Sequence, residues 1–137
     1  MTSRSRPDAA GGFDAAARPV LRGIVTPAEH DAARARLQAE GVVPGAIVAW
    51  LGLNSREMPA LLAACETLGA VLLPLNWRLT AAELARIVGH AGAAHLLGPS
   101  EGGETAPLAA ELRAAARWAP PGRAADGVQP GDLLLVY

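Results

Sequence analysis

A phosphate-cradling dinucleotide turn needs glycines two positions apart, and a Walker loop needs a lysine. This 137-residue chain has neither: no two of its 15 glycines are so spaced, and all 12 basic residues are arginine. The pairs Gly11-Gly12 and Gly102-Gly103 read as loop flexibility. Metal chemistry is equally unsupported, because His30, His90 and His95 share no ligand spacing with Cys65 or one another and no H-E-x-x-H occurs. The sequence reads His30 and His90 as helix-surface residues and His95 as a strand residue satisfied by a neighbour. Ser55 and Ser100 sit in neither a nucleophile elbow nor an evident triad. Cys65, the single cysteine, reads as a small buried hydrophobe, excludes an intrachain disulfide and suits a reducing compartment.

The elements that would hold these groups follow from punctuation and apolar runs. Thr26-Pro27-Ala28-Glu29 is a capping box with proline at the first helical position, predicting a helix over 27–40 that stops at Gly41. Ser55 is expected to cap a helix over 56–68, with Met58, Leu61, Leu62, Cys65 and Leu68 on one stripe, Pro59 loosening its start and Gly69 ending it. Thr80-Ala81-Ala82-Glu83 is a second capping box, opening a helix over 81–91 with Leu84, Ile87, Val88 and Ala91 inward and Gly92 closing it. A last helix is expected from 106 to 118, and a short helical turn over 13–17.

Between the helices lie continuous apolar runs at 46–51, 70–75, 93–97 and 132–137. Runs without alternation are strands covered on both faces. The reading is therefore an α/β protein: a partial doubly wound parallel sheet with helices on both faces. Residues 1–12 read as a disordered arm and 13–137 as one α/β unit. A net charge of −1 without lysine argues against a nucleic-acid surface. The longest uncharged run, Gly41 to Ser55, is broken by Pro44, Gly45 and Gly52, so neither a signal peptide nor a membrane span is read, and the cytoplasm is the expected location.

One set of landmarks is more specific. Thr26-x-x-Glu29, Gly41-Val42-x-Pro44-Gly45-x-x-Val48, Asn54-Ser55-x-Glu57, Leu61-Leu62-Ala63-Ala64, Gly69-Ala70-Val71, Pro74-Leu75-Asn76-Trp77-Arg78-Leu79-Thr80 and Glu83-Leu84 follow in an order and spacing that resembles the N-terminal region of adenylate-forming, AMP-binding acyl-CoA synthetases. Asn-Trp-Arg-Leu before a capped helix looks most like fatty-acid and aryl carboxylate–CoA ligases. Gly131 to Tyr137 resembles the strand that, in that family, leads into the phosphate loop.

For a complete relative the resemblance implies attack of a carboxylate on the α-phosphate of ATP, release of pyrophosphate from the acyl adenylate formed, and displacement of AMP by coenzyme A, with Mg2+ as cofactor. It implies that 13–137 is an incomplete N-terminal subdomain truncated before the phosphate loop, so no catalytic or metal-binding residue is carried over. None of ATP, Mg2+ or CoA is assigned to this chain alone, which is expected to be non-catalytic. A non-catalytic binding module and a truncated gene product without activity are the alternatives. The sequence departs from the family's usual Gly-Asp at Gly45-Ala46, and its first helix is about a turn short.

Asn76, Trp77 and Arg78 follow a strand's carboxyl end, where α/β folds place ligands, and are the candidate substrate-binding residues, shaping the acyl pocket of the parent enzyme. In the competing reading Asn76 and Arg78 bond loop carbonyls while Trp77 covers core. The expected ligand is a small carboxylic acid. Self-association, or pairing with a partner chain, is expected through an exposed sheet edge.

Overall fold

The computed structural model describes residues 24–53 and 55–120. The order of elements is α1 (Pro27–Ala39), β1 (Ile47–Trp50), α2 (Glu57–Leu68), β2 (Val71–Pro74), α3 (Ala81–Ala91), β3 (His95–Leu97) and α4 (Ala106–Ala115). The strands form a parallel sheet in the order β2-β1-β3, with Val48 opposite both Leu72 and His95. The α/β parallel arrangement expected from the apolar runs is present, with strands a residue or two shorter than those runs. The expected strand at 132–137, the turn at 13–17 and the arm at 1–12 lie outside the described residues.

Each strand splits its side chains between two cores. Val48, Trp50, Leu72 and Leu97 pack with Leu37 of α1 and Leu61, Ala64 and Cys65 of α2. Ala49, Leu51, Leu73 and Leu96 pack with Leu84 and Val88 of α3 and Ala109 and Leu112 of α4. Burial on both faces is what continuous apolar strands require. Helix α2 is buried more widely than its expected stripe. Ala60, Ala63 and Ala64 join Leu61 and Cys65 because small side chains let α1 approach closely on one side while the sheet takes the other.

Local chemistry sets the helix ends. Both capping boxes are closed: the Glu29 amide donates to Thr26 Oγ1 at 3.1 Å while the Thr26 amide donates to Glu29 Oε1 at 2.9 Å, and Thr80 and Glu83 repeat these distances. Gly69 and Gly92 end α2 and α3 with φ of 82° and 78°, a left-handed turn that glycine adopts without Cβ strain. Two ends differ from expectation. The residue that caps α2 is Arg56, not Ser55, whose Oγ accepts from the Glu57 amide at 3.2 Å in a local turn. Proline at position 59 leaves a long first bond, Ala60 N to Arg56 O at 3.4 Å. Helix α4 stops at Ala115, three residues early. Ala116 is extended, and the chain turns so that the Ala119 amide reaches Ala93 O at 2.9 Å ahead of Pro120.

Leu37 is fully enclosed between α1 and its neighbours. Leu37→Ala is expected to cost about 2–5 kcal/mol of unfolding free energy, whereas Thr80→Ala, which opens one capping box, is expected to cost about 1 kcal/mol. Urea midpoints at unchanged m-value measure both. Equal losses would contradict this division between core and cap.

Candidate functional site

The strand order places β2 and β3 on opposite sides of β1, so crossover α2 covers one face of the sheet and crossover α3 the other. Chains leaving β1 and β3 therefore diverge, and a crevice opens at the carboxyl ends of these strands. Its walls are the segment after β1 and the loop after β3. A depression of about 330 Å³ lies there, lined by Leu53, Ser55, Pro99, Glu101, Gly102, Gly103, Glu104 and Thr105. Alongside it, sharing Leu53 and Ser55, a second depression of about 360 Å³ is lined by Trp50, Met58, Pro59, Pro74, Leu75 and Trp77.

Several contacts hold this edge in shape. At Gly52 a Cβ would meet Pro99 Cδ at 2.8 Å and the Trp50 ring at 2.9 Å, so only a glycine lets the β1 exit and the β3 exit pack so closely. The Thr105 hydroxyl donates to Leu51 O at 3.3 Å instead of capping α4. Glu57, at the start of α2, accepts the Ser100 amide on both carboxylate oxygens at 3.1 and 3.2 Å, and pairs with Arg36 of α1 at 3.3 Å. A second amino group of Arg36 donates to Gly98 O. One carboxylate and one guanidinium thus tie α1, α2 and the β3 loop together.

Asn76, Trp77 and Arg78 all lie exposed directly after β2, at the rim of the apolar depression. Asn76 Oδ1 accepts the Arg78 amide at 3.0 Å, and the Leu79 amide returns to Asn76 O at 3.0 Å, so the asparagine shapes a tight turn. The Arg78 guanidinium stacks over the Trp77 ring, 4.9 Å from its centroid. Trp77 is 42% exposed, so it does not cover core; Trp50, beneath the same depression, does. The structure brings the three residues together beside the depression. The loop after β3 carried no recognisable motif, and the 43-residue separation of Glu57 and Ser100 left their contact without a local signal.

One histidine departs from expectation. His30 is buried against α2, not on the surface, with Nε2 3.0 Å from Thr67 Oγ1. His30, Ala33 and Leu37 fall at i, i+3 and i+7, a stripe that the interruption by a polar ring conceals. His95 is buried on β3 beside apolar Val48, and its Nε2 meets no hydrogen-bond partner among the described residues. His90 is exposed on α3 as expected. Burial pushes the Cys65 thiol up to about 12, which makes it unreactive. Glu29 is held down to about 2, first by its hydrogen bonds to Arg56 and then by the Thr26 amide. Among the described residues, no group of three His, Cys, Asp or Glu side chains is placed to hold a metal ion, and no helix is long and apolar enough to cross a membrane.

A parallel sheet covered on both faces, with its ligand edge at the strands' carboxyl ends, is the fold of N-terminal domains of adenylate-forming ligases. The inhibitor-bound crystal structure of the N-terminal domain of FACL13 from Mycobacterium tuberculosis superimposes with a TM-score of 0.57 and 34% identity, over 69% of this chain and 23% of that one. The family of AMP-binding enzymes matches residues 28–125, and the chain belongs to that family. Indoleacetate–CoA ligase of Aromatoleum aromaticum is 55% identical over 47 residues, 34% of this chain and 9% of the ligase. Feruloyl-CoA synthase of an Amycolatopsis species is 44% identical over 69 residues, 50% of this chain and 14% of the synthase. The matches therefore span a small part of each relative's length.

The two tryptophans at this edge separate stability from surface chemistry. Trp77→Ala is expected to change unfolding free energy by no more than about 0.5 kcal/mol, against a loss of about 3–5 kcal/mol for Trp50→Ala. Thermal and urea unfolding of the two variants distinguish them, and a large loss at Trp77 would make it a core residue.

Proposed function

We propose that this chain is the N-terminal portion of an ATP-dependent carboxylate–CoA ligase, an incomplete α/β subdomain over 13–137 that is inactive by itself. The observation that carries the reading is the AMP-binding match over residues 28–125, which takes in nearly all of the described fold. In the complete enzyme a carboxylate oxygen attacks the α-phosphate of ATP, pyrophosphate leaves, and the CoA thiol then displaces AMP to give the thioester. The named relatives join aromatic carboxylic acids to CoA, which favours a small aromatic carboxylic acid as substrate. Asn76, Trp77 and Arg78 would border the acyl pocket, with the Trp77 face and the apolar depression supplying contact area.

The described residues do not fit a magnesium triphosphate. The crevice at the ends of β1 and β3 presents Glu101 and Glu104, while Arg36 and Arg56 are engaged by glutamates. Developing negative charge at phosphorus needs preorganised cations and donors, so no step of adenylation is assigned to these side chains. The reading leaves the outer edges of β2 and β3, which pair with no described strand, to be covered by the rest of a ligase, a partner chain or a second copy. It places the protein in the cytoplasm.

Purified chain mixed with ATP, Mg2+ and ferulate or indoleacetate is expected to release no pyrophosphate. A feruloyl-CoA synthase in which residues 26–105 of this chain replace the matching stretch is expected to retain carboxylate-dependent pyrophosphate release. In that chimaera Trp77→Ala should raise KM for the acid several-fold with little change in thermal midpoint. Carboxylate-dependent turnover by the isolated chain, or a folded chimaera without activity, would sink the reading.

A further inference from the structure

No described strand lies beyond the outer edge of β3. A parallel strand turns the amide and carbonyl groups of successive residues to alternate sides. Leu97 O accepts the Leu51 amide at 2.9 Å, so Leu97 faces β1 and Leu96 turns its carbonyl outward. An outward carbonyl on an edge strand is a ladder position open to the amides of another chain. Here it is taken. The Arg113 guanidinium, on the last turn of α4, donates to Leu96 O through Nη2 at 3.1 Å.

The chain leaving α4 closes the same edge a step earlier. Ala116 is extended, and the Ala119 amide donates to Ala93 O, just before β3, at 2.9 Å. The ladder does not continue from there, because the next residue, Pro120, has no N–H. The Trp118 indole donates to Arg113 O at 3.1 Å, which ties this exit to the turn that carries the guanidinium. With β3 running only from His95 to Leu97, the carbonyls of Ala93 and Leu96 are the acceptors an added strand would need, and both are occupied. A guanidinium–carbonyl bond is charge-assisted and about twice as strong as a neutral one. An incoming backbone amide would therefore replace a stronger donor with a weaker one. Arg113 is exposed, so its remaining donors stay in water while one is spent on the edge.

We propose that Arg113 is an edge guard: it ends the sheet at β3 and keeps that edge from pairing with the β3 edge of a second copy of this chain. Without its donor, Leu96 would present both a carbonyl and an amide outward. Two such edges related by a two-fold axis can exchange antiparallel bonds there. The guard does not depend on the ligase reading. It bears on that reading in one respect, because whatever covers β3 in a longer protein then lies over Arg113 and does not extend the ladder.

The test is self-association of the full chain, read at Leu96. Sedimentation velocity compares the parent with Arg113→Met, which keeps an apolar stem and removes the donors, and with Arg113→Lys, which keeps a donor. Arg113→Met is expected to self-associate about tenfold more tightly than the parent, with Leu96 amide exchange slowing as concentration rises. The parent and Arg113→Lys should show neither effect. In the unsubstituted chain, 15N-resolved nuclear magnetic resonance should separate the two Arg113 Nη signals, the mark of a guanidinium that is held, and Leu96 exchange should not vary with concentration. Averaged Nη signals, concentration-dependent protection of Leu96 in the parent, an Arg113→Met chain no more associated than the parent, or an Arg113→Lys chain as associated as Arg113→Met would overturn the guard. The first two readings need no substitution and decide the matter even where Arg113→Met does not fold.

Discussion

Strand β1 is the constraint on which the remainder of the structure depends. Val48, Ala49 and Trp50 of this strand, and Leu51 directly after it, are each at most 3% exposed although they point to alternate faces. A strand with no wet face must have a covering layer on both sides, and parallel neighbours supply those layers as crossovers. With β2 on one side and β3 on the other, the two crossovers pass over opposite faces. That geometry, not any motif, opens the crevice at the strands' carboxyl ends.

The polar contacts then decide how rigid that edge is. The Arg36–Glu57 pair is 26% and 37% exposed at its side chains, so as a charge pair it contributes at most about 1 kcal/mol. Its value lies in direction. The same two groups receive or engage the Ser100 amide and the Gly98 carbonyl, backbone positions that no ladder bond reaches. Fixing these through α1 and α2 makes the loop after β3 depend on how well the helix pair is seated, which the two hydrophobic cores alone would not do.

Much of this architecture was legible in the chain because local signals agreed with global ones. Thr26 and Glu29, and Thr80 and Glu83, announce helix starts by chemistry confined to four residues, and Gly69 and Gly92 announce the ends. The apolar runs gave the strands but not their order, since β2-β1-β3 is set by packing between distant segments. His30 was misplaced because a polar ring on an inward stripe resembles a surface residue until the Thr67 hydroxyl, 37 positions away, is brought to it. Asn76 to Arg78 were legible as strand-end residues. The second wall of the edge was not, because Gly98 to Thr105 acquires its form from Glu57, Leu51 and a close approach at Gly52.

The distribution of arginine bears on what this segment would contribute to a site under the proposed reading. Arg56 makes a two-point contact with Glu29 at 2.7 and 2.9 Å and also holds Ile24 O, Arg36 holds Glu57 and Gly98, Arg113 donates to Leu96 O, and Arg78 lies on Trp77. These cations join secondary-structure elements or cover an aromatic face, and a guanidinium engaged by a carboxylate offers little field to a second anion. The apolar ring surfaces and the tightly packed exit of β1 are what this segment has to offer at its carboxyl edge. On the ligase reading, then, shape and apolar contact come from this segment, while the charge that adenylyl transfer requires must be brought to it by residues outside the described fold.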